Sequence, residues 1–443
     1  MIANDLTVSV VGAGLAGSEC AWQLAERGWQ VKLYEMREKV QTPAHKTSDF
    51  AELVCSNSLG STTDYSAPGQ LKWEAEKLNS LILRVARQFN VPAGMALGVD
   101  RILFAKEITT ILENHPRIKV IREKVSSLKD IPRPAIIATG PLTEESLAND
   151  LREHIGDKFL YFFDAIAPII DADSIDMEIA WRADRWDKGT GDYINCPLDK
   201  EQYENLVKEI ANSRKIEPKE FETTPYFAGC MPIEAIVDSG PETLRFGPAS
   251  AKGLLNPKTG KRPYAVIQLR QENREATSYN IVGFQTRMAW GEQTRIFRMI
   301  PGLQNAEFLK LGSIHRNLYI NATQKMNKDL SSRQDPSLFF AGQITGVEGY
   351  FESTCIGLLV AMFINQKYRD QPFNPPPRES ALGSLMYALT GEEKIDFQPT
   401  NINFGLFPQL GLDEPRKVPK ADRRDRKLVI AKEAFAKWLG TAY

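Results

Sequence analysis

The sequence predicts an α/β protein, a doubly wound parallel sheet interrupted by an inserted α+β domain. Three observations predict it. Residues 8–35 read strand, glycine turn, helix, strand. A second strand, glycine turn and helix stand near the far end, across residues 337–364. The stretch between, residues 164–324, lacks the repeated strand–helix units of its flanks.

The first unit opens with the β-branched run Val8 to Val11 and continues into Gly12-Ala13-Gly14-Leu15-Ala16-Gly17, a G-x-G-x-x-G turn. Gly12 permits the tight turn, Gly14 lets backbone approach a pyrophosphate, and Gly17 lets the helix pack on the strand. The helix that starts there presents free N–H groups to phosphates. Gly28 ends the helix, and the strand Val31 to Tyr34 runs into Glu35, placed to accept ribose hydroxyls. A bound dinucleotide is the expectation.

The bulk composition is that of a soluble protein with a real core: 443 residues, 42% hydrophobic and 25% charged. That length suggests two or three domains. A net charge of −1 excludes a generally basic coat but leaves room for a local basic patch. No apolar run is long enough to span a bilayer, and no leader is evident, so no membrane is expected. Five scattered cysteines without C-x-x-C spacing argue against a disulfide scaffold or a metal site and for a reducing cytoplasm.

Along the chain, Phe50 to Gly60 is an apolar stretch breaking into Cys-Ser-Asn-Ser, expected to be a structured loop. Leu71 to Phe89 has helical spacing, and Asp100 caps an expected helix from Arg101 to Glu113. Ile118 to Ile121 and Ala135 to Ala138 read as strands. The second ends in Thr139-Gly140, which reads either as the strand that returns beside the first strand in two-dinucleotide-binding flavoproteins or as an ordinary strand-to-turn exit. The fold expected is a Rossmann-like FAD-binding domain, residues 1–185 and 325–443, with an inserted substrate domain at 186–324. The second glycine turn, Gly342 to Gly349, includes Gly346 and Glu348 and precedes a helix with small first-turn residues. It reads as a second anion-cradling element or as a tightly packed βα turn, and two such elements at opposite ends of one chain favour a bound flavin. Asn374 to Pro377 reads as a stiff linker, followed by a basic run with Arg423, Arg424 and Arg426. That run is either a solvated helical face or a phosphate-contacting patch.

Two cysteines stand out by context. Cys55 lies in the polar loop near the expected cleft, and Cys230 in a kinked segment between Gly229 and Pro232. Loops favour an accessible thiolate, although a buried inert thiol is the commoner outcome for each. Cys20 and Cys355 read as packing residues on helices. His315 is one of four histidines and reads as structural or as a planar stacking group.

Seven segments together carry a resemblance. They are GAGLAG at 12–17, LVCSNSLGS at 53–61, FAGCMPIE at 227–234, LRQEN at 269–273, VGFQTRMAWGEQ at 282–293, SIHRNLYIN at 313–321 and AGQITGVEGYFES at 341–353. The chain resembles, over nearly its whole length, the bacterial folate- and FAD-dependent tRNA methyltransferases that make 5-methyluridine in the T-loop. The resemblance implies methylene transfer from 5,10-methylenetetrahydrofolate to C5 of uridine 54, with hydride from FAD recharged by NADPH or NADH. It implies tRNA as partner. Cys230 matches the thiol that adds to C6 of uracil, and Cys55 the one that holds or protects the methylene-bearing flavin; the reverse assignment stays open. His315 matches a residue stacking on folate, and Tyr350 lies in the flavin–folate motif. Arg270 and Arg287 are weaker matches, for anionic groups. Thr354 and Cys355 stand where alanines are common in the family; both are small, so helix packing is expected to survive, with an extra thiol near the flavin as the alternative consequence. Rival readings are a wobble-uridine-modifying flavoenzyme, which continues into a longer helical region, a small-molecule NADPH-dependent flavin oxidoreductase, and a flavin-binding tRNA chaperone.

Overall fold

The structure, a computed structural model, describes residues 6–42, 44–156, 159–216, 231–395, 397–409 and 419–442. Its main sheet has five parallel strands in the order Leu338–Phe340, Ala135–Ile137, Thr7–Val11, Gln30–Tyr34, Ile118–Ile121. Val10 lies beside Leu33 on one side and Ile136 on the other, and Ile136 lies beside Phe339. Val8 to Val11 are buried without alternation, as a central strand covered on both faces must be. The strand order turns around Thr7–Val11: its helix leads to Gln30–Tyr34 on one side, and the Ala135–Ile137 strand flanks the other. Ligand crevices in doubly wound sheets open at such a switch point.

Two helices cross over this point. Leu15–Glu26 leaves the first glycine turn and Tyr350–Tyr368 leaves the second. They touch backbone to side: a Cβ on Gly357 would collide with the Ala16 carbonyl. Gly342, at φ +80°, likewise has no room for a Cβ beside Ala16. The two glycine turns are thus locked to each other.

A second sheet has its own core. Its order is Trp181–Arg182, Tyr193–Leu198, Ala265–Gln271, Ser278–Ile281, Ile169–Asp171, Phe308–Lys310, with antiparallel pairing throughout. Helices Lys200–Asn212 and Trp290–Phe297 bury Leu206, Ile210, Ile296 and Phe297 in that core. The chain enters this part through Leu160–Ala165 and leaves through Ile314–Tyr319, and these two segments pair antiparallel. The sheet takes in strands from Ile169 onward, earlier than the boundary at residue 186 read from the sequence.

The helix expected over Leu71 to Phe89 is two helices, Ala67–Lys77 and Leu81–Gln88. Asn79, at φ +58°, turns the chain, and the buried Glu19 carboxylate accepts from Ser80 Oγ and the Ile82 N–H, both at 2.9 Å. Apolar periodicity continues through the break because both helices bury the same face. Asp100 caps its helix as expected, accepting from the Leu103 N–H at 3.0 Å. The segment read as a stiff linker is packed instead. A Cβ on Gly383 would strike the Pro377 carbonyl, and Trp438 Nε1 donates to Asn374 at 3.1 Å. The final helix, Lys420–Ala442, buries Leu428, Ala431, Phe435 and Trp438, with Phe435 edge-on to Trp73.

Candidate functional site

The G-x-G-x-x-G residues divide their work as their positions require. Gly12 holds φ +96°, and a Cβ there would lie 2.6 Å from the Ala138 carbonyl of the neighbouring strand. Gly17 faces the Gly12 carbonyl with no room for a side chain. A Cβ on Gly14 would meet nothing within 4 Å, nor would one on Gly140. Both open instead onto a cleft of about 1070 Å³ that Leu15, Ala16, Glu35 and Gly342 also line. The helix Leu15–Glu26 begins at Gly14 with no side-chain cap, so its first N–H groups face that cleft. Ala13 serves differently: its N–H donates to Glu35 Oε2 at 3.0 Å.

Glu35 is clamped by a residue that pattern reasoning missed. Arg37 donates from Nε to Oε1 at 3.0 Å and from Nη2 to Oε2 at 3.1 Å. Burial alone would raise the carboxyl, but the Arg37 bonds and charge hold it below the usual carboxylate range. Glu35 therefore presents a fixed anion in the cleft wall, suited to accept from ribose hydroxyls. His45, also in this wall, is pushed down to about 4 by burial and by the Arg37 charge, so its imidazole is neutral at neutral pH. A Glu-x-Arg spacing carries no general signal in a sequence.

A second cleft, of about 1260 Å³, continues from the first across Val54, Gln343 and Tyr350. Cys55, Glu348, Gly349 and Glu352 line it. The Cys55 loop is held by helix Tyr350–Tyr368 on one side and the second sheet on the other. Tyr350 Oη accepts from the Cys55 N–H at 2.7 Å, and Lys310 Nζ donates to the Val54 carbonyl at 3.2 Å. Asn57 donates to the Gln271 carbonyl at 2.9 Å and accepts from Arg270 Nε at 3.0 Å. The peptide before Cys55 is thus pinned by one residue of the second glycine turn and one of the second sheet. Cys55 Sγ is half-buried, 3.8 Å from the Ala165 carbonyl. Burial, reinforced by the charges of Arg101 and Lys46, lowers the Lys310 ammonium.

The cleft floor holds a buried pair. Lys72 lies under Gly60, which lines the cleft, with its ammonium over the Phe351 ring at 4.7 Å and no hydrogen-bond partner. Burial pulls it down to about 8. Burial pushes the Glu352 carboxyl up, partly offset by the charge of Lys72.

Other expected site residues lie elsewhere or go undescribed. Arg270 is buried and committed to Asn57, and neither it nor Arg287 lines the two clefts. Gly346, at φ +82°, packs on Phe397. His315 lies opposite Asp164 in the paired ribbon; its side chain is outside the described residues, as is all of Cys230. Cys20 and Cys355 are fully buried, and burial holds both thiols up, so they are inert packing groups. Among the described residues no cluster of metal-ligating side chains occurs and no helix is long and apolar enough to cross a membrane.

Two glycine turns closing on one switch-point cleft define a Rossmann-like, FAD-binding type of α/β fold. The family model described as Glucose inhibited division protein A matches residues 7–372, and the chain belongs to that family. Within it, a protein of Bdellovibrio bacteriovorus named Methylenetetrahydrofolate--tRNA-(uracil-5-)-methyltransferase TrmFO is 64% identical over 99% of both chains. A protein of the same name from Koribacter versatilis is 48% identical, also over 99% of both chains. Among solved structures, Aquifex aeolicus GidA matches with a TM-score of 0.68 at 15% identity, over 99% of this chain and 74% of that one. That likeness is one of fold.

Proposed function

We propose that this protein is a methylenetetrahydrofolate–tRNA (uracil-5-)-methyltransferase acting on uridine 54 in the cytoplasm, with FAD as cofactor and NADPH or NADH as reductant. The observation that carries the reading is the continuity of two clefts: one built for a dinucleotide, the other lined by Cys55, meeting at Tyr350 and Gln343. The named relatives, similar over 99% of their length, support the same reaction. Bound FAD, once reduced by NADPH or NADH, would supply the hydride that completes the methyl group.

The chain's own residues do the rest. Gly12, Gly14, Gly140 and Gly342 cradle the pyrophosphate and ring end, and Glu35 takes the ribose. Tyr350 and Lys310 fix the Cys55 backbone so that the thiol faces the cleft. A thiolate adding to C6 of uracil makes C5 nucleophilic; Cys230 is assigned that role, and Cys55 the one beside the flavin. His315 is assigned to folate stacking. Arg270 acts through Asn57 on the Cys55 loop, and Arg287 keeps only the sequence match as an anion-binding residue. The division into a discontinuous flavin domain, 1–185 and 325–443, and an inserted domain belongs to this reading, with the second sheet drawing its start toward Ile169.

The test is methylene transfer to an unmodified tRNA transcript, using 5,10-methylenetetrahydrofolate labelled in the methylene carbon together with NADPH. Label in 5-methyluridine at position 54 is the expected result. Absence of label with NADPH still oxidised would leave the flavin fold standing and move the reading to a wobble-uridine enzyme or a small-molecule oxidoreductase.

A further inference from the structure

A third cleft, of about 1090 Å³, lies beside the Cys55 cleft and is lined by Ser61, Tyr65, Met95, Asp184, Trp186 and Lys188. The two share one short strand, Ser58–Ser61. Ser58 and Gly60 face the first and Ser61 faces the second. That strand spans roughly 10 Å at the rise of extended chain.

The cleft exposes apolar surface. Trp186 is 59% exposed, Tyr65 58% and Met95 54%. Their placement is built. Trp186 holds φ +65°, a left-handed backbone uncommon for a bulky side chain. Its N–H donates to the Gly253 carbonyl at 2.7 Å. A Cβ on Gly253 would lie 2.8 Å from the indole, so only glycine allows the ring to lie there. Arg185, next in the turn, spends its guanidinium on Gln268 and on the Ser250 and Lys252 carbonyls. Asp184 Oδ2 accepts from the Gly191 and Asp192 N–H groups, while its Oδ1, buried in the same wall, has no partner. An exposed aromatic face on a fixed backbone is what an unpaired nucleobase needs to stack on.

We infer that this cleft binds an unpaired base of the same tRNA strand that delivers its uridine to the Cys55 cleft, stacked on Trp186. The inference rests on the functional reading above. Bases reach such sites only when taken out of their stack, and a stacking platform beside the Cys55 cleft offsets that unstacking. The exposed Lys188 ammonium at the rim suits the adjoining phosphate.

The experiment uses the full-length, flavin-loaded protein with W186A, W186F and Y65A variants. It measures tRNA Kd, methyl transfer, bound flavin and NADPH oxidation. W186A is expected to raise the tRNA Kd roughly tenfold, within the range that one base–aromatic stack contributes. W186F keeps most of the affinity, Y65A is intermediate, and flavin content and the KM for NADPH stay as in the parent. Equal tRNA affinity in W186A and the parent overturns the inference. So does a raised KM for NADPH with tRNA affinity unchanged, which would give the platform to a nicotinamide dinucleotide. A parent protein that binds no tRNA removes the functional reading and this inference together; a parent that binds and methylates while W186A matches it removes the inference alone.

Discussion

Single residues in the first glycine turn separate binding from folding. Gly14→Val adds bulk only to the cleft, because nothing in the protein lies within 4 Å of its Cβ. We expect that variant to melt as the parent does while its bound flavin falls at least tenfold, read from the absorbance of the purified protein. Gly17→Ala is the opposite case: its methyl meets the Gly12 carbonyl, and overpacking of this kind costs about 1–3 kcal/mol in denaturant titrations. Cys230→Ala is expected to keep bound flavin and lose methylation; normal turnover would sink its assignment as the nucleophile. Lys72 makes a pH prediction. Its folded value is lowered from 10.5 to about 8, so between those values the unfolded chain binds more protons and stability rises with pH. Lys72→Met removes this slope, and near pH 7 it should stabilise the protein by about 1–3 kcal/mol.

Elements in this protein are joined by buried carboxylates at helix starts. Glu74, on helix Ala67–Lys77, accepts from the Ala381 and Leu382 N–H groups at 2.8 Å and so caps helix Ala381–Thr390 from a distance of about three hundred residues in sequence. Burial raises its carboxyl from 4.5 to about 7. In that window the folded state binds the extra proton, so the contribution of Glu74 to stability falls as pH rises from 4.5 to 7. The stability difference between the parent and Glu74→Gln should therefore change across those pH values, and a constant difference would show that Glu74 titrates normally. Glu74→Ala removes the acceptor of three buried donors, the Ala381 and Leu382 N–H groups and Gln70 Nε2, at a cost of about 1–3 kcal/mol for each donor left unpaired.

At the scale of the whole molecule, the basic run lies on an exposed face of the final helix. Arg423, Arg424 and Arg426 point outward while Leu428, Phe435 and Trp438 anchor the helix to the flavin-type domain. The described arginines of that run stand on a solvent-exposed face. Tight tRNA binding should weaken steeply with salt, and reversing those three arginines to glutamate should lower both the affinity and the salt slope. An unchanged slope would leave the run a solvated face and no more.

How much was legible follows from the range of each interaction. The first unit was readable residue by residue, because a glycine turn, a helix start and a strand are set by local backbone sterics and local hydrogen bonds. The same holds for Asp100 as a cap and for the buried fate of Cys20 and Cys355, since a helix with apolar neighbours on every turn buries its thiols. The break at Asn79 was not readable, because the carboxylate that caps the second helix comes from Glu19. Nor was the committed role of Arg270: its partner, Asn57, is 213 residues away. The sequence by itself determined the two glycine turns, the flanking strands and the chemical identity of the candidate thiols. Only the tertiary structure decided that Tyr350 and Lys310 grip the Cys55 loop, that Arg37 spends its charge on Glu35, and that Trp186 stands open beside that loop. Each of those is a contact between segments whose local patterns are independent, so packing selects it and periodicity does not encode it.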